Sequence, residues 1–437
     1  MNFPRCVRLA LLFTLAARVG MAQTGPPVRP LGPVLATSLE HLGSVSQVVA
    51  IADGRVLVND ISGRRVLMFD PTLTSATVIA DTTSATGKAY GSRLGGLVSL
   101  HGDSTLFVDP TTLSMLVIDP KGRIVRTLAI PRPNDANFLI GGPFGTPGVD
   151  AHGRLIYTSV IGPTVISGDS HAPPLVQPSD SALIVRLDLA SRRLDTVAKY
   201  EIPRIRLNRT TSESGVTSFF MTVNPMPWTD DWALLSNGAI AIVRGREYRV
   251  DILGPDGRLT SAPKMDFAWQ RLSDENKVAV IDSAREEAVR LATARLAEIR
   301  AANPGTKVIA DSNTVGGRRR PESEIAANMP RTAPPVAFTP PPTLFVTASE
   351  IPDYRPAFRQ GSSRGDADGN LWVRTSRVLN GGTVYDIVNS AGKLTHRVLV
   401  PAGRFVAGFG PDHMVYMGVV DGASTRLERA QARLGGN

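Results

Sequence analysis

Six charged or aromatic residues of the 437-residue sequence are candidates for binding a ligand. They flank predicted β-strands on the side where the chain makes its long connections: Trp228, Asp230, Arg244, Arg246, Tyr354 and Arg374. The planar guanidinium group of arginine suits a carboxylate or a phosphate, because it donates hydrogen bonds from a rigid fork. For each residue taken alone, an ion pair that anchors a loop is an equally good explanation.

A second set of residues could hold a metal ion through oxygen ligands. Asp60 and Asp109 close predicted strands, and Asp230 and Asp231 precede another, so a metal site built from oxygen ligands is the alternative to a protein without a cofactor. Aspartate at such positions is also common turn chemistry. The six histidines form no His-x-His or His-x-x-x-His pair and Cys6 is the single cysteine, so we expect no zinc centre.

Two further motifs are explained better as turns than as catalytic or metal-binding motifs. Residues 361–365 read Gly-Ser-Ser-Arg-Gly, which matches the letters of a nucleophile elbow. That motif requires a helix after the serine, whereas a hairpin at Asp368-Gly369 follows here. Residues 366–370 begin like a calcium loop but lack its third ligand and its distal glutamate. We therefore expect neither a serine hydrolase nor a calcium-binding loop at this point.

The N-terminus has the three parts of a signal peptide. Arg5 and Arg8 precede an apolar run at residues 9–17, and Ala22 ends a small-residue cleavage site. Cleavage there would remove residues 1–22 and with them the only cysteine. We expect a protein without disulfide bonds that is exported to the periplasm or the extracellular space.

Charge and hydropathy exclude two classes of protein. The formal net charge is +9, which the loss of three leader arginines would lower to about +6, and the only basic run is at 318–320. A nucleic-acid-binding protein needs a clustered basic surface, so we expect no nucleic-acid partner. Past the leader no window approaches the ~18 continuous apolar residues of a membrane span.

One pattern of short apolar runs and glycine-containing turns recurs along the chain. The first turn of each copy is Asp53-Gly54, His101-Gly102, His152-Gly153, Asn237-Gly238, Asp368-Gly369 or Pro411-Asp412. The runs are β-branched and the Asp-Gly or Asn-Gly turns suit tight hairpins. Four-stranded units at this period are typical of β-propeller blades. We therefore predict an all-β, six-bladed propeller over residues 34–437, preceded by a linker at 23–33.

The repeats resemble those of six-bladed propellers of the NHL and TolB-like group. The resemblance rests mainly on residues 368–374, with 56–60 preceding 65–70 as further support. The last copy has only three strand candidates, so we expect residues 34–39 to complete it as the outer strand, with both termini sharing the last blade. The resemblance says little about activity, because this fold hosts lactonases, lyases, scaffolds and peptide binders.

Three long insertions are predicted on one face of the disc, at residues 161–181, 201–230 and 266–357. The last contains a predicted helix at about 273–302, whose apolar stripe should cover that face near Arg244 and Arg374, and an irregular tether at 316–342. Because function concentrates on loops held by a rigid scaffold, we expect binding on this face.

The main functional expectation is a monomeric, non-catalytic propeller that binds a peptide, a protein or a glycan on its long-loop face. The alternative is a calcium-dependent lactonase or lyase on the same scaffold. Whether the six candidate residues and the aspartates belong to a binding protein or to an enzyme depends on the groups that surround them in the fold.

Overall fold

The computed structural model describes residues 25–162, 164–166, 175–211, 217–302 and 343–434. The predicted signal peptide, residues 1–22, and the predicted tether, 316–342, lie outside these residues. Among the helices that are described, none is both long and apolar enough to cross a membrane.

The first part of the chain forms two short strands and two four-stranded antiparallel sheets. The short strands are β1 (Val28–Pro30) and β2 (Val34–Thr37). Sheet 1 consists of β3 (Val45–Ala50), β4 (Val56–Asp60), β5 (Arg65–Phe69) and β6 (Ala76–Ala80). Sheet 2 consists of β7 (Gly96–Ser99), β8 (Thr105–Asp109), β9 (Ser114–Ile118) and β10 (Ile124–Ala129).

The middle of the chain adds two more four-stranded sheets, with strands of the insertions between them. In chain order they are β11 (Gly148–Val149), β12 (Leu155–Val160), β13 (Thr164–Ile166), β14 (Leu175–Gln177), β15 (Ser181–Leu187), β16 (Leu194–Glu201), β17 (Ile205–Thr211), β18 (Thr217–Val223), β19 (Asp231–Leu234), β20 (Ile240–Arg244), β21 (Arg249–Leu253) and β22 (Leu259–Ser261). Sheet 3 is β11, β12, β15 and β16, and sheet 4 is β19 to β22.

The last part of the chain contains the helix and the two remaining large sheets. The elements are α1 (Asp274–Ala302), β23 (Thr343–Phe345), β24 (Phe358–Gly365), β25 (Leu371–Leu379), β26 (Gly382–Val388), β27 (Leu394–Val400), β28 (Arg404–Gly410), β29 (Met414–Asp421) and β30 (Ser424–Gln431). Sheet 5 is β24 to β27, and sheet 6 is β28 to β30 with β2 at its outer edge.

These sheets form a β-propeller, as the repeats predict. Buried apolar clusters lie between sheets 1 and 2, 2 and 3, 3 and 4, 4 and 5, 5 and 6, and again between 6 and 1. Because each sheet packs on both faces, a strand such as β4 is buried along its whole length. Each fully buried Val or Leu contributes about 1.5–3 kcal/mol.

Glycine makes the tight turns after the inner strands possible. Gly54 and Gly369 have positive φ angles of 88° and 86°, which residues with a Cβ rarely adopt. These turns connect the inner strand of a sheet to the next strand, and they bring all the inner strands into the same orientation around the axis.

Both chain ends take part in closing the ring. As predicted, β2 pairs antiparallel with β30, so the N-terminal segment is the outer strand of sheet 6. The predicted linker at 23–33 differs from the structure, because β1 adds to the outer edge of sheet 5 by parallel pairing with β27. The unpaired backbone groups of β27 explain this: an edge strand accepts any segment that reaches it.

Two insertions pack against each other. Strands β17, β18 and β23 form a small sheet, and a buried cluster joins Met226, Leu272, Ile281, Val346 and Ile351. In α1 the buried side chain Ile281 belongs to this cluster, whereas Val278, Val289 and Leu291 are exposed. The buried side chain Ile281 therefore packs on the insertions themselves. The sequence predicts instead that the apolar stripe of the helix lies near Arg244 and Arg374.

Candidate functional site

The inner strands surround a central cavity of about 470 Å³. All six inner strands line it, and it reaches the turns that follow them, at His101, Ser236, Ala367 and Pro411. These turns belong to the face opposite the long insertions. This central cavity therefore lies toward the face on which sequence reasoning did not expect binding.

A loop before sheet 3 lies across the other end of the channel. Gly141 and Gly361 both have positive φ. A Cβ on Gly141 would collide with Nε2 of Gln47 from sheet 1, and a Cβ on Gly361 would collide with Cα of Pro143. The carbonyl of Phe144 accepts a hydrogen bond of 3.0 Å from Nε1 of Trp232 in sheet 4. Because the loop touches sheets 1, 4 and 5, it closes the channel on the insertion side.

Arg364 is the charged side chain of β24 that reaches this cavity. Its Nη1 donates a hydrogen bond of 3.1 Å to the carbonyl of Ala407. Burial lowers the pKa of Arg364, although a guanidinium keeps its charge in proteins. No carboxylate among the described residues forms an ion pair with it, so the charge has free donors inside the ring.

Arg364 also lines a cleft of about 120 Å³ between sheets 5 and 6. Arg374 from β25 reaches the same cleft from its exposed end, again without a carboxylate partner among the described residues. The walls are aromatic: Trp372, Tyr385, Phe405 and Phe409. Burial raises the pKa of Tyr385, against the opposing effect of the two arginines, so its hydroxyl stays protonated at neutral pH.

Asp231 lies on the other side of β24. Neighbouring residues of a strand point to opposite faces, so Ser363 faces sheet 4 while Arg364 faces sheet 6. The backbone amide of Ser363 donates a hydrogen bond of 2.7 Å to Oδ2 of Asp231. Complete burial raises the pKa of Asp231 to about 7. Asp231 Oδ1 and Ser363 Oγ both lack a hydrogen-bond partner of normal geometry.

Three of the predicted binding residues meet at the rim between sheets 3 and 4. Arg244, Arg246 and Asp230 line a wide pocket of about 470 Å³ together with Lys199 and Tyr200. Arg244 is held by two buried carboxylates, however, and its nitrogen atoms lie 2.7 Å from Oδ2 of Asp230 and 2.7 Å from Oδ2 of Asp251.

The ion pairs of Arg244 with Asp230 and Asp251 are those expected of an arginine that anchors a loop. Asp230 is occupied as well, because its Oδ1 accepts a hydrogen bond of 3.1 Å from the backbone amide of Gly245. Arg246 is exposed and lies 3.5 Å from Oε2 of Glu201. Arg246 is the more exposed of the two arginines and has the longer ion pair.

The two predicted aromatic residues belong to the insertions. Trp228 packs against Trp269 with ring centroids 5.7 Å apart. Tyr354 is exposed and forms an isolated β-bridge with Arg271. Neither lines the central cavity or the cleft at Arg374, so the structure does not bring the six predicted residues together in one site.

The aspartates considered as calcium ligands are already used in hydrogen bonds. Asp60 accepts bonds from the backbone amides of Gly43, Ser44 and Gly63 and from Arg65. Asp109 accepts bonds from the amide of Thr111 and the hydroxyl of Thr112.

The donor set of the ring does not fit a calcium ion. Calcium binds six to eight oxygen atoms, whereas the central cavity is lined by the cation Arg364 and by two described carboxylates, Asp103 and Asp366. Asp366 already accepts hydrogen bonds from Asn370 and Trp372. Within the described residues, no three His, Cys, Asp or Glu side chains are grouped so that they could hold a metal.

Sequence reasoning missed Arg364 and gave Asp231 only a minor part as a metal ligand. The available signal was a charged residue inside an inner strand, where a side chain is enclosed by neighbouring sheets. Considered as a nucleophile elbow, the Gly-Ser-Ser-Arg-Gly motif indicates a serine and not the arginine as its functional residue.

Comparison with known proteins finds matches among solved structures but not among protein families or curated sequences. Solved structures of similar fold include a gluconolactonase from Xanthomonas campestris, 11% identical over 92% of this chain and 99% of that one, with a TM-score of 0.37. A calcium-binding regucalcin from Agrobacterium tumefaciens is 12% identical, with a TM-score of 0.38 over 92% and 97%. Virginiamycin B lyase from Staphylococcus aureus is 11% identical, with a TM-score of 0.35 over 92% and 98%.

One functional expectation is corrected by these matches. The solved structures of similar fold are mainly those of enzymes named as gluconolactonases and lyases. These names differ from the expectation of a non-catalytic binder of a peptide, a protein or a glycan, and that expectation is not kept.

Proposed function

We propose that the protein is an enzyme that opens a lactone or a related ester in the central cavity, with Arg364 binding the oxygen atom that becomes negatively charged. The observation that carries the proposal is the position of Arg364. Its guanidinium lies inside the ring, at a 470 Å³ cavity, and its charge is not neutralised by an ion pair with a described carboxylate.

Ester and lactone hydrolysis needs such a group. Water adds to the carbonyl carbon, the carbonyl oxygen becomes an oxyanion, the ring C–O bond breaks, and a proton passes to the leaving alkoxide to give a hydroxy acid. A fixed positive group in a site with little water stabilises the oxyanion strongly, because it needs no reorganisation during the reaction. Arg364 is fixed by its hydrogen bond to Ala407.

The proposal also covers the class of propeller and its location. The six large sheets and the shared terminal sheet support a six-bladed propeller of the NHL and TolB-like group. The N-terminal residue pattern supports export, with cleavage after Ala22. A monomer that binds no nucleic acid accords with the dispersed charge of the sequence.

The test is a hydrolysis assay of the purified mature protein on a panel of lactones with different ring sizes, read by mass spectrometry. Hydrolysis adds one water to the substrate, whereas a lyase that opens a ring by elimination leaves the mass unchanged. We expect the first result, with at least a hundredfold lower rate in Arg364→Met, in line with the loss of an oxyanion donor.

Arg126→Met is the matched control, because Arg126 lies exposed on the outer strand β10. It should keep the wild-type rate. Parallel assays with EDTA and with added calcium ions test the metal-dependent alternative. An unchanged rate in Arg364→Met, or turnover only by elimination, would overturn the proposal.

A further inference from the structure

The cleft between sheets 5 and 6 contains two cations and no described carboxylate to neutralise them. Arg364 reaches it from the inside and Arg374 from the rim. Like charges that approach one another without a counterion repel, and the repulsion is strong where water is partly excluded. Two other half-buried arginines are neutralised by carboxylates: Arg65 pairs with Asp60, and Arg404 pairs with Glu428.

We propose that this cleft is the subsite for an anionic group of the substrate, a carboxylate or a phosphate, bound between the guanidinium groups of Arg364 and Arg374. The inference rests on the proposed function in so far as the anion is part of a substrate. The binding of an anion can itself be measured without any reaction.

The aromatic walls define the chemistry beside the anionic group. Trp372 packs against Phe409 with centroids 5.0 Å apart and against Tyr385 with centroids 6.0 Å apart. Tyr385 lines the cleft and keeps its hydroxyl proton, and a tyrosine hydroxyl can donate a hydrogen bond to an anion. A ligand with an anionic head attached to an apolar or aromatic group fits these surroundings.

The dimensions indicate how the substrate lies. Sites that enclose a whole small molecule measure about 300–1,000 Å³, so a cleft of 120 Å³ holds only part of one. Arg364 borders both the cleft and the central cavity. The anionic group therefore occupies the cleft while the bond to be broken lies in the cavity, with Arg364 between them.

Isothermal titration calorimetry with inorganic phosphate and with benzoate tests the subsite on the full mature chain. We expect the wild-type protein to bind both probes, and benzoate to bind more tightly because its ring contacts the aromatic walls. Arg374→Met should weaken both at least tenfold. Arg374→Lys should keep part of the phosphate affinity, since it restores the charge without the planar fork.

Arg126→Met is again the control and should bind the probes like the wild type. Arg374 is exposed, so its substitution should leave the protein folded even if Arg364→Met does not fold, and circular dichroism checks this. Equal binding by wild type and Arg374→Met, or no binding by the wild type, would refute the subsite. Binding without lactone hydrolysis would leave the subsite standing and refute the proposed function, whereas hydrolysis that does not depend on Arg374 would do the reverse.

Discussion

Arg244 and Arg364 both lie on strands of this propeller, but their electrostatic surroundings are opposite. Arg244, at the rim between sheets 3 and 4, contacts two carboxylates that are 8% and 4% exposed. Arg364, between sheets 5 and 6, contacts a backbone carbonyl and faces Arg374 across an open cleft. A guanidinium with two carboxylate partners holds the fold together, whereas one without such partners has donors left for a ligand.

The largest effect on stability should come from breaking the paired arrangement. Arg244→Met would leave Asp230 and Asp251 buried without their partner, at a cost of about 3 kcal/mol in the free energy of unfolding. Urea unfolding measures the change. Arg374→Met should cost under about 0.5 kcal/mol, because it removes no ion pair. Similar losses in the two variants would contradict the contrast.

Two tyrosines extend the comparison to the neighbouring sheets. Tyr248, between sheets 4 and 5, donates a hydrogen bond of 2.7 Å to the buried carboxylate of Asp386. Tyr385 lines the cleft, and its hydroxyl accepts a long bond of 3.5 Å from the amide of Val406. Tyr248→Phe should lower the free energy of unfolding by about 2 kcal/mol.

Tyr385→Phe serves as the matched variant. It should change the free energy of unfolding by less than about 0.5 kcal/mol and weaken phosphate binding severalfold. Thermal melts and calorimetry separate the two effects. A large loss of stability in Tyr385→Phe would mean that its hydroxyl serves the fold and not the cleft.

A third difference appears as a dependence on pH. Burial raises the pKa of Asp231 to about 7 from an ordinary value of 3.8, so the folded protein binds a proton that the unfolded chain has already lost. Its contribution to stability is complete below the unfolded pKa and disappears as the pH rises toward 7. The free energy of unfolding should therefore fall as the pH rises from about 4 to about 7.

Asp231→Asn should abolish this decrease, because an amide carries no charge and can still accept the bond from Ser363. Urea unfolding of both proteins at several pH values gives the difference in their free energies of unfolding. The contributions of the other carboxylates are the same in both proteins and cancel in this difference. Parallel curves for the two proteins would show that Asp231 is ionised in the folded state throughout.

The sequence predicts the ring much better than the site. Turn glycines such as Gly54 and Gly369 and the buried runs such as β4 are local signals, so the propeller and the place of β2 follow from them. Whether an arginine is paired depends on the sheet that packs against it. Nothing near Arg244 in sequence reveals that Asp230 and Asp251 enclose it, and nothing near Arg364 reveals the cleft shared with Arg374.

The sharpest test of the cleft reverses the charge of Arg374. Arg374→Glu would place a carboxylate where we expect the anionic group of the substrate, close to the guanidinium of Arg364. A new partly buried ion pair should hold the free energy of unfolding at the wild-type value or raise it by up to about 1 kcal/mol. The same carboxylate would repel phosphate and benzoate, so the rise in melting temperature that these probes cause in the wild type should vanish. Arg126→Glu, on an exposed outer strand, should keep that rise. If Arg374→Glu unfolded more easily than Arg374→Met, the introduced carboxylate would not be facing a free cation, and Arg364 would have to be regarded as part of the fold.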